Sequence, residues 1–390
     1  MSLCERPLSR IVEALPRSGI RRFFDLVSGM EDVIALGVGE PDFPTPWGIS
    51  SSCVYGLERG RTSYTSNYGL IELRRGIARH LAATYGVEYD PETEILVTVG
   101  VSEALDLALR ALLNPGDEVI IPQPCYVSYV PCVVMASGQP VTIPTTAATG
   151  FAVDPQEVEA RVSRRTKALL IGYPNNPTGA VLSPAALRGL AEVAERHDLF
   201  VISDEIYDQL RYGSPHVCFA SLPGMRDRTL LLNGFSKAYA MTGWRVGYAA
   251  APARVVDLMV KIHQYTMLCA PITGQMAAIE ALRRGQKYTA AMVAEYDRRR
   301  RVMVAGFNRI GLECLEPQGA FYTFPSIRAT GLSSEEFCER LLHEERVAVV
   351  PGNAFGECGE GHVRATYANS LENIREALNR IERFVRGLRR

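Results

Sequence analysis

The sequence of 390 residues lacks several patterns that define other classes of protein. Its nine cysteines include no Cys-x-x-Cys pair, which favours reduced, mostly buried thiols over a disulfide framework. Its six histidines include no His-x-x-x-His pair, so no metal site is expected. No apolar run approaches the ~20 residues of a membrane span, and the first residues have no apolar core typical of a signal peptide. We therefore expect a cytoplasmic protein that does not act at a membrane.

The sequence also lacks an excess of either charge. Its 42 Lys and Arg and 43 Asp and Glu leave a formal net charge of −1. Proteins that bind nucleic acids usually carry a basic surplus, so we expect no nucleic-acid partner. With 47% apolar and 22% charged residues, the composition is that of an ordinary globular protein. At roughly 100–200 residues per domain, the length allows two or three domains.

Short β-rich segments alternate with longer helical patterns over most of the chain. The segments are apolar on both faces, as parallel strands covered by helices should be. The predicted strands are Ile95–Val99, Glu118–Ile121, Ala168–Tyr173, Phe200–Ser203, Thr229–Asn233 and Val246–Ala250. The predicted helices between them include Glu103–Leu113, Pro184–Arg196 and Ala253–Arg284. This alternation predicts an α/β domain with a mainly parallel sheet.

The pattern changes after about Arg284, where a charged helix is followed by short strands and two further helices. We predict strands near Leu312–Leu315 and Ala320–Phe324, then helices at Ser334–Glu345 and Leu371–Leu388. This pattern indicates a smaller α+β domain, which also includes the residues that precede Trp47. The predicted division is a large cofactor-binding domain over 47–285 and a small domain made of 1–46 and 286–390.

Lys237 is the most informative residue, because small and apolar residues surround it in the segment Asn233–Arg245. Ammonium groups normally stay in water. If this lysine is buried, its pKa falls and a neutral amine becomes available for imine chemistry. Arg245 adds a permanent cation suited to a phosphate. The pair predicts a site for pyridoxal phosphate; the alternative is that Lys237 is an ordinary exposed lysine.

Polar residues follow three of the predicted strands at the edge where open α/β sheets bind ligands. Ser102, with the amides around Val101, can bind an anion at a helix start or can simply cap the helix. Asp204 follows another strand, where an unpaired carboxylate is costly, and it too can be a cap. Tyr207 can reach the same ligand or cover the core. Asn176 lies in a turn closed by Pro and Gly, and can serve that turn or point into the site.

Two look-alike motifs point elsewhere. Gly100-Val-Ser-Glu-Ala104 resembles the nucleophile elbow of a serine hydrolase, with Ser102 as nucleophile and His362 as the only tempting histidine. Gly37-Val-Gly39-Glu-Pro-Asp42 begins like a dinucleotide-binding fingerprint but lacks its third glycine, so it is discarded.

Several motifs together resemble those of class I/II aminotransferases, which are fold-type-I pyridoxal-phosphate enzymes. They are Asn176-Pro-Thr-Gly179, Ser203-Asp-Glu-Ile-Tyr207, Ser236-Lys237, Gly243-Trp-Arg245-Val-Gly-Tyr248, Leu36-Gly-Val-Gly-Glu-Pro-Asp-Phe43, Tyr64, Gly319-Ala-Phe-Tyr322 and Val363-Arg364. The resemblance covers nearly the whole chain and is closest to the prokaryotic aspartate/aromatic aminotransferase subgroup. It implies a seven-stranded type of mainly parallel sheet and pyridoxal 5′-phosphate as cofactor.

The resemblance also implies roles for the residues around the cofactor ring. Lys237 would bind the cofactor as an imine and later carry a proton between the substrate and the cofactor. Asp204 would pair with the pyridine nitrogen and keep it protonated. Asn176 and Tyr207 would bond the phenolic oxygen, and Tyr126 would stack on the ring. These implied roles make Lys237, Asp204 and Tyr207 the candidate catalytic residues.

Further implied contacts hold the phosphate and the substrate. Val101, Ser102, Ser236 and Arg245 would hold the phosphate. Tyr64 would reach the phosphate of a neighbouring subunit, which implies a homodimer.

The substrate's α-carboxylate has its own implied contacts. Arg364 would bind it through two parallel hydrogen bonds, helped by Asn176 and the backbone of Gly39. Closing of the small domain would then exclude water.

The expected reaction moves an amino group from an amino acid to a 2-oxo acid by a ping-pong mechanism. No arginine is an obvious partner for the distal carboxylate of a dicarboxylate; Arg21 and Arg22 lie near the expected pocket entrance. Aromatic donors are favoured, with aspartate, alanine or N-acyl-diaminopimelate as alternatives. A carbon–sulfur β-lyase is the nearest rival reaction on the same fold. A cofactor-sensing regulator would need a DNA-binding module ahead of Leu36, and we expect none.

Overall fold

The structure, a computed structural model, describes residues 8–17 and 29–388. The helices are α1 (Arg10–Glu13), α2 (Trp47–Glu58), α3 (Ile71–Tyr85), α4 (Gly100–Leu112), α5 (Tyr129–Met135), α6 (Pro155–Glu159), α7 (Pro184–Arg196), α8 (Ala253–Thr266), α9 (Ile272–Arg284), α10 (Gln286–Ile310), α11 (Ser334–Glu345) and α12 (Leu371–Leu388). The strands are β1 (Ile34–Ala35), β2 (Ile95–Thr98), β3 (Glu118–Gln123), β4 (Gln139–Pro144), β5 (Thr166–Gly172), β6 (Phe200–Asp204), β7 (Thr229–Gly234), β8 (Gly247–Ala250), β9 (Tyr322–Thr323), β10 (Val347–Ala348), β11 (Val350–Pro351) and β12 (Val363–Thr366).

Seven strands form the central sheet, in the order β2-β8-β7-β6-β5-β3-β4. Neighbours from β7 to β4 are parallel, whereas β8 runs antiparallel to both β2 and β7. The predicted α/β class and mainly parallel sheet are confirmed. The prediction grouped Val246–Ala250 with the parallel strands, and this orientation is corrected: the chain turns back directly after β7 to form β8.

Strand β4 was missing from the predicted set. It forms one edge of the sheet and pairs only with β3. Its sequence contains Pro140 and Pro144, which cannot donate to a ladder and are tolerated on an edge strand. Half-buried and exposed residues also outnumber buried ones along it, so the apolar signal of the inner strands is absent.

Alternation along the strands separates two faces of the sheet. In β6, Ile202 packs in a core with residues of α4 and α8, and Val201 packs in another core with residues of α7. Successive side chains point to opposite faces. Asp204 therefore lies on the same face as α4, while Ser203 and Glu205 lie on the face of α7.

The third major core belongs to the C-terminal part of the chain. It joins α10, α11 and α12 with Leu36 and with Phe321 near the antiparallel sheet β11-β12-β9. Strand β1 pairs with β10, so residues before Trp47 do contact this part. The same core includes Tyr207 and Leu210. The division into domains at 46/47 and 285/286 stays a prediction, because this core takes in residues from both sides of it.

Three predicted helices have the observed bounds: Pro184–Arg196, Ser334–Glu345 and Leu371–Leu388. The predicted helix Ala253–Arg284 is wrong as a single element. It is two helices, α8 and α9, which the residues 267–271 separate. Leu268 there has a left-handed backbone with φ of 68°, and Pro271 directly precedes α9. Neither feature is compatible with a continuous helix.

The predicted strand near Leu312–Leu315 is also wrong. The amide of Leu312 donates to the carbonyl of Phe307, and the amide of Cys314 donates to the side chain of Asn308. These donors thus bond to the end of α10 and not to a neighbouring strand. The predicted strand Ala320–Phe324 is reduced to β9, two residues long.

Candidate active site

A cavity of about 470 Å³ lies at the carboxyl ends of the parallel strands. It is lined by residues from the loops after β2, β3, β5, β6 and β7, together with residues near Gly39 and Arg364. The predicted site residues among its lining are Gly39, Val101, Ser102, Tyr126, Asn176, Asp204, Tyr207, Ser236, Lys237, Arg245 and Arg364. The structure therefore brings together every predicted site residue except Tyr64.

Lys237 lies three residues after β7, and its side chain lines the cavity. Its amine donates a hydrogen bond of 2.6 Å to the carbonyl of Gly39. Burial above all lowers the pKa of Lys237 to about 8; Glu40 acts against this shift, whereas the cations of Arg364 and Arg245 contribute to it. A larger fraction of this amine is thus neutral near physiological pH than for a lysine in water.

Asp204 is the last residue of β6 and is buried. One carboxylate oxygen accepts a hydrogen bond of 2.8 Å from the hydroxyl of Tyr129, and the other accepts one of 3.2 Å from the amide of Ile206. Burial raises the pKa of Asp204 to about 6, although both hydrogen bonds favour the ionised form. No cation lies in hydrogen-bond contact with it among the described residues. A protonated ring nitrogen would supply the missing positive charge.

Tyr207 and Tyr322 meet at one wall of the cavity. Both side chains are buried, and their hydroxyl oxygens lie 2.9 Å apart in a hydrogen bond. Burial raises the pKa of Tyr207 well above its ordinary value, and the neighbouring hydroxyl acts in the same direction. Both phenols therefore stay protonated; one hydroxyl donates to the other, and the second hydroxyl can donate to an acceptor in the cavity.

Arg364 enters from β12 and is only 2% exposed. Its two terminal nitrogens donate to the side-chain oxygen of Asn176 at 2.9 Å and to the carbonyl of Gly37 at 2.7 Å. Its Nε is buried and has no partner among the described residues. Burial lowers the pKa of Arg364, because neither partner is an anion. A carboxylate in the cavity would satisfy this charge.

The other end of the cavity is built for an anion. Helix α4 begins at Gly100, and the amides of its first turn have no partner within the helix. Arg245 lies against this helix start: a Cβ at Gly100 would come within 2.6 Å of its guanidinium. The guanidinium donates to the carbonyl of Thr242 at 3.0 Å. Cation and helix dipole therefore reinforce each other.

The alternative in which Ser102 caps the helix is wrong. The residue that precedes α4 is Val99, and no side chain caps the helix there. Ser102 lies within the first turn and is exposed toward the cavity. Ser236, from the loop after β7, lines the cavity too.

Tyr126 and Tyr64 have different positions. Tyr126 lines the cavity and contacts Tyr129 edge to face, with ring centroids 5.7 Å apart. Tyr64 is 83% exposed and does not line the cavity. Its predicted contact with a neighbouring subunit stays a prediction. Arg21 and Arg22 lie outside the described residues.

The residues that a hydrolase would need are not together. The cavity wall that includes Ser102 does not include His362. The ring of His362 instead stacks on Phe324, with centroids 5.0 Å apart and an interplanar angle of 2°. Burial lowers the pKa of this histidine. Its surroundings are those of a core residue.

Sequence reasoning missed Tyr129 as a partner of Asp204, and it gave no role to Tyr322, Glu40 or Thr242. Tyr322 was within a motif of the resemblance, so its position could have been proposed. Glu40 accepts a hydrogen bond of 3.0 Å from Thr242 at the cavity mouth. No sequence signal marks that contact, since 202 residues separate the two.

The fold and this site are those of a known class of enzyme. A family model described as aminotransferase class I and II matches residues 31–381. The chain is 52% identical to YugH of Bacillus subtilis (strain 168), provisionally named an aminotransferase, over 97% of this chain and 98% of that protein. It is 47% identical to an aspartate aminotransferase of Pyrococcus abyssi (strain GE5 / Orsay), over 95% and 96%. The structure of an aromatic aminotransferase from Pyrococcus horikoshii OT3 superposes with a TM-score of 0.90 at 46% identity, over 94% and 99%.

The chain belongs to the class I and II aminotransferase family and is a pyridoxal-phosphate-dependent aminotransferase of fold type I. The residues present fit the cofactor on structural grounds. A half-buried amine, a buried carboxylate without a cation and an open helix start with an arginine face one cavity. The guanidinium of Arg364, which has no anionic partner among the described residues, lines the same cavity and would bind a carboxylate there.

Two further findings concern the described residues alone. Within 8–17 and 29–388, no helix combines the length and the apolar character that crossing a membrane requires. Over the same ranges, no three or more His, Cys, Asp or Glu side chains are grouped so that they could hold a metal ion.

Asp204→Asn should stabilise the protein freed of cofactor above pH 6. The pKa of about 6 in the folded state exceeds the ordinary value near 4, so folding retains a proton between these pH values. Ionisation of the buried carboxylate therefore lowers the free energy of unfolding as the pH rises from about 4 to about 6. We expect Asp204→Asn to raise the free energy of unfolding by up to about 3 kcal/mol near pH 7.5 and to change it little near pH 4.

Urea unfolding from about pH 4 to pH 8 measures this difference. Asp227→Asn, at a side chain that is 91% exposed, is the control. A gain that is the same at every pH would contradict the assignment of the window to Asp204.

Proposed function

We propose that the enzyme is an amino acid:2-oxo acid aminotransferase that works by a ping-pong mechanism and favours aromatic donors. The observation that carries this proposal is the meeting of three charged groups at one cavity, the buried Asp204 and Arg364 and the half-buried Lys237. Among the residues that the structure describes, none of opposite charge is in hydrogen-bond contact with any of the three. Together they offer an amine, an anion for a ring nitrogen and a cation for a carboxylate.

Bound pyridoxal phosphate supplies a carbonyl that captures amino groups and a ring that accepts electrons from the substrate. Lys237 then provides a base for moving a proton at the substrate Cα, and its lowered pKa suits that task. Asp204 would hold the ring nitrogen in its protonated form. Asn176 and Tyr207 would bond the phenolic oxygen, and Tyr126 would cover the ring face.

The phosphate would lie at the start of α4. The amides and hydroxyl of Val101 and Ser102 would donate to it, as would Ser236 and Arg245. All four residues line the cavity. This placement follows from the position of Arg245 against Gly100.

Arg364 would orient the substrate by its α-carboxylate. The side chain of Asn176 already fixes the guanidinium, which keeps its plane toward the cavity. The backbone of Gly39, which lies beside Tyr322 and Arg364, would also contact the substrate; its carbonyl accepts a hydrogen bond from Lys237. The substrate carbon that loses its proton would then lie between the carboxylate clamp and the lysine.

The preference for aromatic donors rests on the lining of the cavity. Among the described lining residues, the basic side chains are Lys237, Arg245 and Arg364, and each has a role in the proposal. No further cation is present there for a distal carboxylate. Tyr126, Tyr129 and several apolar residues form much of the remaining wall. The names of the relatives include both aspartate and aromatic aminotransferases, so aspartate, alanine and N-acyl-diaminopimelate remain alternatives.

We also propose that the enzyme is a homodimer with shared sites. Tyr64 is 83% exposed, and Trp47 and Tyr265 are exposed at 73% and 86%. Large aromatic side chains at such exposure are typical of surfaces that meet a partner. In this arrangement Tyr64 would complete the phosphate site of the other subunit. The cytoplasmic location stays a prediction.

A visible absorption spectrum of the purified holoenzyme, with and without single amino acids, tests the reaction. We expect the band of the bound cofactor to shift to that of its amine form, fastest with an aromatic donor, and to be absent in Lys237→Ala. Lys287→Ala, at a lysine outside the cavity, should leave the band unchanged.

A band that no amino acid shifts would contradict transamination. Release of pyruvate and ammonia from cystathionine would then favour the β-lyase. Labelling of Ser102 by a fluorophosphonate would favour the hydrolase.

Arg364→Lys should impair use of amino acids without displacing the cofactor. A lysine cannot make two parallel hydrogen bonds to a carboxylate, so we expect kcat/KM to fall about 100-fold or more. Steady-state kinetics measure this fall, with Arg301→Lys, at a side chain 70% exposed, as control. An equal loss toward an amine that lacks a carboxylate would contradict the proposed clamp.

Mixed dimers test the role of Tyr64. One protomer carries Lys237→Ala and the other carries Tyr64→Ala, each with a different affinity tag. If Tyr64 serves the neighbouring site, the mixed dimer contains one site with both native residues and regains activity that neither parent has. If Tyr64 serves its own site or none, mixing restores nothing.

A further inference from the structure

A buried histidine–carboxylate pair lies behind the start of α4, outside the lining of the cavity. Glu103 is in the first turn of α4, and His263 is in α8. The Nδ1 of His263 lies 2.6 Å from one carboxylate oxygen of Glu103. The histidine side chain is fully buried and that of Glu103 is 9% exposed. None of the roles proposed above uses this pair.

The second oxygen of Glu103 accepts a hydrogen bond of 2.5 Å from the amide of Val99. Val99 is the residue that precedes α4, and its carbonyl accepts a hydrogen bond of 3.5 Å from Arg245. Glu103 thus fixes the peptide that leads into Gly100, the point where the chain turns with φ of 73°. The histidine–carboxylate pair therefore acts on the proposed phosphate site through the backbone at Val99.

Both carboxylate oxygens of Glu103 are engaged, one by His263 and the other by the amide of Val99. Neither oxygen contacts the open amides of the first turn of α4. A carboxylate in the first turn of a helix is itself attracted to those amides. If Glu103 were free to rotate, it would compete with a phosphate for the amides of Val101 and Ser102, and it would add a negative charge beside them. Its present contacts prevent that competition.

His263 has one polar contact through its side chain. Its Nε2 is buried and has no partner among the described residues. The ring therefore donates from Nδ1 to Glu103, and within the described part of the chain this hydrogen bond is the only polar contact of the ring that offsets its burial. Around it are apolar residues of the core shared by α4 and α8. If the contact with Glu103 had no function, an apolar leucine in place of His263 would suit this core better, because it has no buried nitrogen to satisfy.

We propose that His263 is a positioning residue for the cofactor phosphate. By holding Glu103 against the amide of Val99, it keeps the amides of Val101 and Ser102 available to the phosphate. This inference rests on the proposed placement of the phosphate at α4. His263 touches neither cofactor nor substrate in this scheme and acts only through Glu103.

The test is the affinity of the protein for pyridoxal phosphate, measured by titrating the resolved apoenzyme and following cofactor absorbance. We expect His263→Leu to bind the cofactor about 10-fold more weakly, while KM for the amino donor at saturating cofactor stays unchanged. His263→Asn, whose amide can donate from the position of Nδ1, should recover most of the affinity. Val256→Ala, a buried site in the same helix, is the control for lost packing alone.

A double-variant cycle separates positioning from stability. Because His263 acts through Glu103, His263→Leu should weaken binding no further in a Glu103→Ala background. Unchanged affinity in His263→Leu, an equal loss in Val256→Ala, or additive losses in the double variant would each overturn the inference. If the unaltered protein itself bound no cofactor, the proposed function would fail instead. If His263→Leu does not fold, His263→Met, which also lacks a donor at the position of Nδ1, provides the same comparison alone and together with Glu103→Ala.

Discussion

Two hydrogen bonds from Arg364 tie together the parts of the chain on which the site depends. Through them β12 is joined to Gly37, near the N-terminal strand β1, and to Asn176, in the loop after β5. Together with the hydrogen bond between Tyr207 and Tyr322, these contacts fix the small antiparallel sheet against the central sheet at the cavity. Tyr322 and Phe355 pack against the guanidinium, with ring centroids 4.5 and 4.8 Å away, and hold its plane.

The same constraint explains the electrostatics of the site. Arg364 and Asp204 are buried and Lys237 is half-buried, and burial shifts the pKa of each so that its neutral form is favoured. Their hydrogen bonds go to neutral groups: a backbone carbonyl, an amide side chain, a phenol. Stability of the folded protein alone would favour pairing each of these charges with an opposite charge. Leaving them unpaired keeps their interactions available to a ligand that carries complementary charges.

The large features of this arrangement could be predicted from the sequence, because polar residues directly after apolar strands must meet at one edge of a parallel sheet. Lys237, Asp204, Asn176 and Ser102 follow from that rule and from the resemblance. The helix break at Leu268 and the extended segment at Cys314 could not be predicted, since they depend on a single backbone dihedral and on one side-chain contact from Asn308. The partner of Asp204 was missed for a similar reason. Tyr129 reaches it across the sheet, 75 residues away in sequence, and periodicity gives no sign of such a contact.

The antiparallel direction of β8 has a mechanical consequence for the segment that carries Lys237 and Arg245. Because β8 returns beside β7, with Gly234 opposite Gly247, this segment is a hairpin connection held at both ends by paired strands. A crossover to a parallel strand would have needed a covering helix and a longer, separately anchored loop. Separating the two ends of the segment would require breaking the hydrogen bonds between β7 and β8, two buried strands of the sheet. The amides of the two paired strands are expected to exchange slowly, and Lys237 lies three residues beyond the end of one of them.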